Sequence, residues 1–183
     1  MSTNIDNHTT TTPRNPDTPY NFGPASTRDD IVFTSERPGG DPPAANVKVS
    51  MDAVQKQIDF FKAKGIRHVL ILLDDHELDI YEPPGLITKY SENGLTVHRN
   101  PMGIAGSSEN AKRILQKAMN RKEKMVAHCT HGMGRSGRIA AGWLVMQYGL
   151  TPSQATEEVL QTAREHGVER MGDVRALEQW LSK

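Results

Sequence analysis

From Asp30 onward, apolar and polar positions alternate between two periodicities. Ile31-Val32-Phe33 reads as a short strand, followed by a loop rich in Pro and Gly. Ser50 then has the character of an N-cap. Met51, Val54, Ile58 and Phe61 recur at helical spacing, and Gly65 stops the helix. The run Arg67-His68-Val69-Leu70-Ile71-Leu72-Leu73 is nearly continuous in apolar residues, the mark of a strand covered on both faces. An acidic turn follows from Asp74 to Glu82, then a short helix over Leu86–Ser91 and a strand over Leu95–Arg99. A helix is predicted from about Ser108 to Lys122, and a strand over Met125–His128. The segment Ile139–Tyr148 reads as an apolar helix ended by Gly149. Thr151-Pro152-Ser153-Gln154 combines a cap, a first-turn proline and a capping-box glutamine, and starts a helix to about Glu165. A last helix spans Asp173 to Leu181. Strands alternating with helices through short loops predict an α/β fold. Its central sheet is mostly parallel, has four to five strands and is flanked by helices.

The chain has 183 residues, which suits one domain plus a tail. Residues 1–28 are rich in Thr, Asn and Pro with few apolar side chains, so they are expected to be a disordered tail; the domain is expected over 29–183. Lys and Arg number 22 against 22 Asp and Glu, which argues against a globally basic nucleic-acid binder. No run of 18 apolar residues exists and no basic, then apolar, leader opens the chain, so no membrane partner is expected; a reduced compartment suits a lone thiol, so the cytoplasm is expected, and the chain is taken as a monomer. The single cysteine excludes an intrachain disulfide and a multi-cysteine metal centre.

That cysteine sits in the most informative segment, Val126-Ala127-His128-Cys129-Thr130-His131-Gly132-Met133-Gly134-Arg135-Ser136-Gly137-Arg138. A strand ends, a loop turns, and a helix begins near Arg135. Successive amides in such a turn, together with the helix N-terminus, form an anion site built from Thr130, His131, Gly132, Met133, Gly134 and Arg135. Cys129 opens the loop and faces the same centre, where those amides favour its thiolate. Arg135 supplies a planar fork matched to phosphate oxygens, and Ser136 can donate a hydrogen bond to the sulfur. A metal site on His128, Cys129 and His131 is disfavoured, because adjacent ligands are awkward at a strand end and Arg135 would repel a cation. No metal and no cofactor are expected.

His before Cys, Gly three after it, Arg six after it and then Ser resembles the signature loop of the cysteine-dependent protein tyrosine phosphatase superfamily, in its dual-specificity branch. Outside the loop, the likeness over roughly 30–182 is mainly one of element order. The resemblance implies hydrolysis of phosphoprotein monoesters through a phosphocysteine on Cys129. It also implies that Arg135 and the loop amides stabilise the transferring phosphoryl group, that His128 holds the loop and tunes the thiolate, and that Ser136 assists release of sulfur. A phosphorylated protein is the partner it implies.

Such phosphatases usually carry an Asp on the loop before the helix that precedes the signature strand. Here the loop Arg99–Asn110 has Pro101 but no Asp, and Met102 stands where the acid is expected. Asp75 or Asp74, after the buried strand, is the preferred substitute; Glu109 and His131 are further candidates. A weakly basic leaving group needs less protonation, which favours phosphotyrosine over phosphoserine and phosphothreonine. HCTHG and a preceding loop without Asp are also similar to the cysteine-dependent RNA 5′-triphosphatases, which have Asn where this chain has Gly134; nucleic acid is a partner only under that alternative. A phospho-binding pseudophosphatase is a second alternative. Residues 111–138 hold eight bases (Lys112, Arg113, Lys117, Arg121, Lys122, Lys124, Arg135, Arg138) and one acid, Glu123, a field that favours an anionic substrate if it converges on the site.

Overall fold

The computed structural model describes residues 15–183. Five strands form one sheet in the order β1-β2-β5-β3-β4. They are β1 (Gly23–Pro24), β2 (Val32–Glu36), β3 (Ile66–Ile71), β4 (Thr96–Arg99) and β5 (Lys124–Cys129). Only β1 runs antiparallel, to β2; the other pairs are parallel. The carboxyl ends of β2, β5, β3 and β4 therefore share one rim.

Seven helices cover the sheet: α1 (Met51–Ala63), α2 (Asp75–Leu78), α3 (Leu86–Glu92), α4 (Ser107–Arg121), α5 (Gly134–Tyr148), α6 (Pro152–His166) and α7 (Val174–Leu181). Strand side chains alternate between two cores. Leu70, Leu72, Met125, Ala127 and Cys129 pack toward α4, α5, α6 and α7, among Leu115, Ile139, Trp143, Leu144 and Trp180. Val69, Ile71, Leu73 and Val126 pack toward α1 and α3, among Val54, Ile58, Phe61 and Tyr90. Both faces being covered, the apolar runs that marked β3 and β5 had to be continuous. The expected caps are in place: Ser50 accepts from the Ala53 amide, Thr151 and Gln154 close a capping box, and Asp173 accepts from Ala176.

Two expectations change. The segment 15–28, read as part of a disordered tail, holds a 3-10 turn at Pro19–Asn21 and strand β1, paired Gly23 to Thr34 and Pro24 to Phe33. Residues 1–14 of that expected tail lie outside the described residues. Ordering costs about 1–2 kcal/mol per residue of backbone, and the segment offsets it with two rings. Phe22 stacks on Phe33 at 5.1 Å and meets Phe60 edge-on at 5.3 Å; Tyr20 meets Phe60 at 5.2 Å. The acidic stretch after β3 is not a simple turn either, because its first residues form α2, with the Asp74 amide donating to Glu77 Oε2 at 2.8 Å. Among the described residues, no helix is long and apolar enough to cross a membrane.

Candidate active site

The cysteine loop lies where expected, between the end of β5 and the start of α5 at Gly134. Strand alternation sends neighbours to opposite faces. Cys129 is 3% exposed on the α5 side, and His128 is fully buried toward α3. Cys129 Sγ lies 3.2 Å from Ser136 Oγ, and that hydroxyl also reaches the Ser35 carbonyl at 3.2 Å. The hydroxyl has one proton, so a thiolate draws its donation away from Ser35 and onto sulfur.

The loop's carbonyls are held from outside. The Cys129 carbonyl accepts from the Arg37 amide at 2.7 Å, and the Met133 carbonyl from the Met171 amide at 3.2 Å. Between them, the carbonyls of His131 and Gly132 face the side-chain amide of Asn21, at 3.1 and 3.4 Å. A trans peptide points its N–H opposite to its C=O. Fixing these four carbonyls therefore turns the amides of Thr130, Gly132, Met133 and Gly134 the other way, away from Arg37, Asn21 and Met171. Gly132 makes the turn possible: its φ is +72°, and a Cβ there would meet the Glu36 nitrogen at 2.7 Å.

Arg135 is bound to a partner that sequence reading missed. Glu77 on α2 takes its fork end-on, Nη1 to Oε2 and Nη2 to Oε1, both at 2.7 Å. The remaining Nη donors reach the Leu72 carbonyl at 3.3 Å and Thr130 Oγ1 at 3.0 Å. Thr130 in turn donates to Glu77 at 2.8 Å. The Arg135 guanidinium holds the Glu77 carboxyl down at about 2, against a burial penalty that works upward. Glu77 was hidden in the acidic stretch, where only the short helix singles it out.

His128 Nε2 lies 3.0 Å from the Tyr90 hydroxyl. Burial, reinforced by the positive charges of Arg37 and Arg135, lowers His128 to about 3, so the imidazole is neutral. Asp75 is highly exposed and ion-pairs with Arg99 at 2.8 Å. Asp74 opens α2, and its charge acts on Arg135. His131 projects to Asp41 on the β2–α1 loop, at 2.7 Å. Met102 turns into the core at 4% exposure, whereas Ile104 on the same loop is 52% exposed. Arg135 lies in the site, but Lys112, Arg113, Lys117, Arg121 and Lys122 line the exposed face of α4, which starts at the rim and runs away from it. His68 and His98 pair with each other at 3.2 Å, and His68 also contacts Glu123; these are contacts between structural elements away from the loop.

A family model of the dual specificity phosphatase catalytic domain matches residues 43–183. Cyclin-dependent kinase inhibitor 3 of Rattus norvegicus is 24% identical over 136 residues, 71% of this chain and 64% of that protein. Its Homo sapiens counterpart is 28% identical over 112 residues, 58% of this chain and 53% of that protein. The chain thus spans less than two thirds of the length of these relatives. Among solved structures, a kinase associated phosphatase with serine at its catalytic-site cysteine superposes with a TM-score of 0.63 at 21% identity, covering 82% of this chain and 87% of that one. The active form of Tk-PTP superposes with a TM-score of 0.59 at 23% identity, covering 84% and 92%. These likenesses speak for the fold, a mostly parallel five-stranded sheet between helices. From the family match over 43–183, the chain belongs to the dual specificity phosphatase catalytic domain family.

Proposed function

We propose that the protein is a cysteine-dependent phosphatase that hydrolyses phosphoprotein monoesters, phosphotyrosine most readily. The observation that carries this is the seating of Cys129 Sγ beside Ser136 at 3.2 Å, at the foot of a loop whose carbonyls are tied from outside, which turns the opposite amides away from those partners. The oxygens of a phosphoryl group would meet those amides, the α5 N-terminus and the Arg135 guanidinium. Cys129 sulfur attacks phosphorus in line and forms the S–P bond, while the ester O–P bond breaks and the leaving oxygen takes a proton. Water then attacks phosphorus, the S–P bond breaks, and the sulfur leaves as a thiolate that Ser136 stabilises. His128, buried and neutral, is held through its contact with the Tyr90 hydroxyl at 3.0 Å.

Asp74 is the better placed of the two proposed acids. It stands at the carboxyl end of β3, and its charge reaches Arg135, while Asp75 is engaged by Arg99. An exposed carboxyl here assists a phenolate more readily than it could compensate for a strongly basic alkoxide, which supports phosphotyrosine as the preferred ester. The family membership and the curated relatives support a phosphorylated protein as the substrate class.

The test is release of phosphate from a phosphotyrosine peptide, a phosphoserine peptide and triphosphate-ended RNA under one condition, with vanadate as inhibitor. Fastest turnover of the phosphotyrosine peptide, lost in Cys129→Ser, supports the reading. Preference for the RNA end, or tight peptide binding without turnover, overturns it. If Asp74→Asn and Asp75→Asn leave the acidic side of the rate profile unchanged, neither carboxyl is the proton donor.

A further inference from the structure

We propose that Asn21 is a positioning residue for the signature loop, supplied by the N-terminal segment that precedes the family-matched region. The inference rests on the phosphatase reading and adds to it a residue outside residues 43–183. The loop can bind an anion only while its peptide planes keep their amides turned to the centre. Arg37 and Met171 fix the first and last planes through main-chain amides. Among the described residues the His131 and Gly132 carbonyls have no main-chain donor; the carboxamide of Asn21 reaches them, at 3.1 Å and 3.4 Å.

Which end of that carboxamide faces the loop is settled by its other contact. The Glu169 amide donates to Asn21 Oδ1 at 2.8 Å, so the NH2 group is the end that faces acceptors: one hydrogen serves the Glu169 carbonyl at 3.1 Å and the other is left for the two loop carbonyls, of which His131 is the nearer. The Asn21 backbone is held as well. Arg170 Nη2 donates to its carbonyl at 2.9 Å, and the same guanidinium grips Thr34 through Nε at 2.8 Å. Tyr20 and Phe22 on either side are pinned by the ring contacts to Phe33 and Phe60. Asn21 has φ +50°, a left-handed conformation that Asn adopts more readily than most residues. The chain therefore places an Asn where three demands meet: a left-handed backbone, one acceptor and a two-hydrogen donor.

Asn21→Asp tests this cleanly. It keeps the shape, tolerates the same φ and still accepts from the Glu169 amide, but it replaces the donor facing the His131, Gly132 and Glu169 carbonyls with an oxygen. In the full chain we expect kcat for p-nitrophenyl phosphate to fall about tenfold or more, with a smaller change in KM. Alkylation of Cys129 by iodoacetamide at pH 6 should slow by a similar factor, while the melting temperature changes by only a few degrees. Should Asn21→Asp melt below assay temperature, Asn21→Gly keeps the backbone and removes the carboxamide, and the same losses are expected. In a folded variant, kcat and alkylation rate within about twofold of the parent overturn the proposal. Because alkylation needs no turnover, the two readings separate. A parent that hydrolyses no ester sinks the phosphatase assignment, while unchanged alkylation sinks the role of Asn21.

Discussion

Two loops on the same rim of the sheet are built to opposite specifications. The loop after β5 has the carbonyls of Cys129, His131, Gly132 and Met133 tied by Arg37, Asn21 and Met171, from three separate parts of the chain. Residues 101–106, after β4, are anchored mainly near their ends. Asn100 donates to Ser107 at 3.0 Å and Met102 is buried, but Gly103, Ile104, Ala105 and Gly106 are exposed. The contrast shows where this molecule invests its rigidity. Stabilising charge on a transferring phosphoryl group demands donors already in place. The facing loop has no carboxylic acid to deliver, so nothing in its sequence requires an equally fixed geometry.

Substitutions can break or sharpen this contrast, and the largest effect is expected at its centre. Cys129→Ser should reduce hydrolysis of an aryl phosphate to background in a phosphate-release assay, since the alkoxide that would replace the thiolate does not form near neutral pH. Persistent turnover would place the chemistry elsewhere. Arg135→Lys should lower kcat by about 10²–10³, because an ammonium cannot give two parallel hydrogen bonds. Steady-state kinetics should also show weaker vanadate inhibition.

Glu77→Gln should have an intermediate effect, visible in stability as a function of pH. Glu77 is held at about 2, below its ordinary value of 4.5, so its contribution is fully present above pH 4.5 and is lost as pH falls toward 2. His128, lowered from 6.5 to about 3, favours the proton-binding unfolded chain over a higher window, and stability falls from pH 6.5 toward 3. Urea unfolding at a series of pH values should show Glu77→Gln losing the lower component and keeping the upper one. An unchanged slope between pH 4.5 and 2 would contradict the ion pair with Arg135. Leaving Arg135 without its carboxylate should also cost about 2 kcal/mol near neutral pH. The smallest effect is expected on the facing loop: Ile104→Ala should change kcat/KM for an aryl phosphate by less than about twofold, as for an exposed residue without a partner. A tenfold loss would mean that this loop takes part in the reaction to the same degree that the cradle does.

Much of the fold was legible because it rests on local pattern. The continuous apolar runs of β3 and β5, the caps at Ser50 and Thr151 and the Cys-to-Arg spacing each depend on residues within a few positions of one another. Failures occurred where a short segment gains its structure from distant partners. Tyr20 and Phe22 look isolated in a Thr- and Pro-rich stretch, and only Phe33 and Phe60 give them something to pack on. Glu77 is one of several carboxylates after β3, and only the turn of α2 aims it at Arg135.

The sequence by itself determined that a strand would deliver a cysteine into a glycine-bearing turn at a helix N-terminus, with an arginine and a serine at fixed distances from it. Those relations lie within eight residues and follow from backbone geometry. Only the tertiary structure decided what holds that turn in shape. Glu77 is 58 positions from Arg135, Asn21 is 110 from His131, and Tyr90 is 38 from His128. No local pattern encodes such contacts, because sheet pairing and helix packing set them once the whole chain has folded.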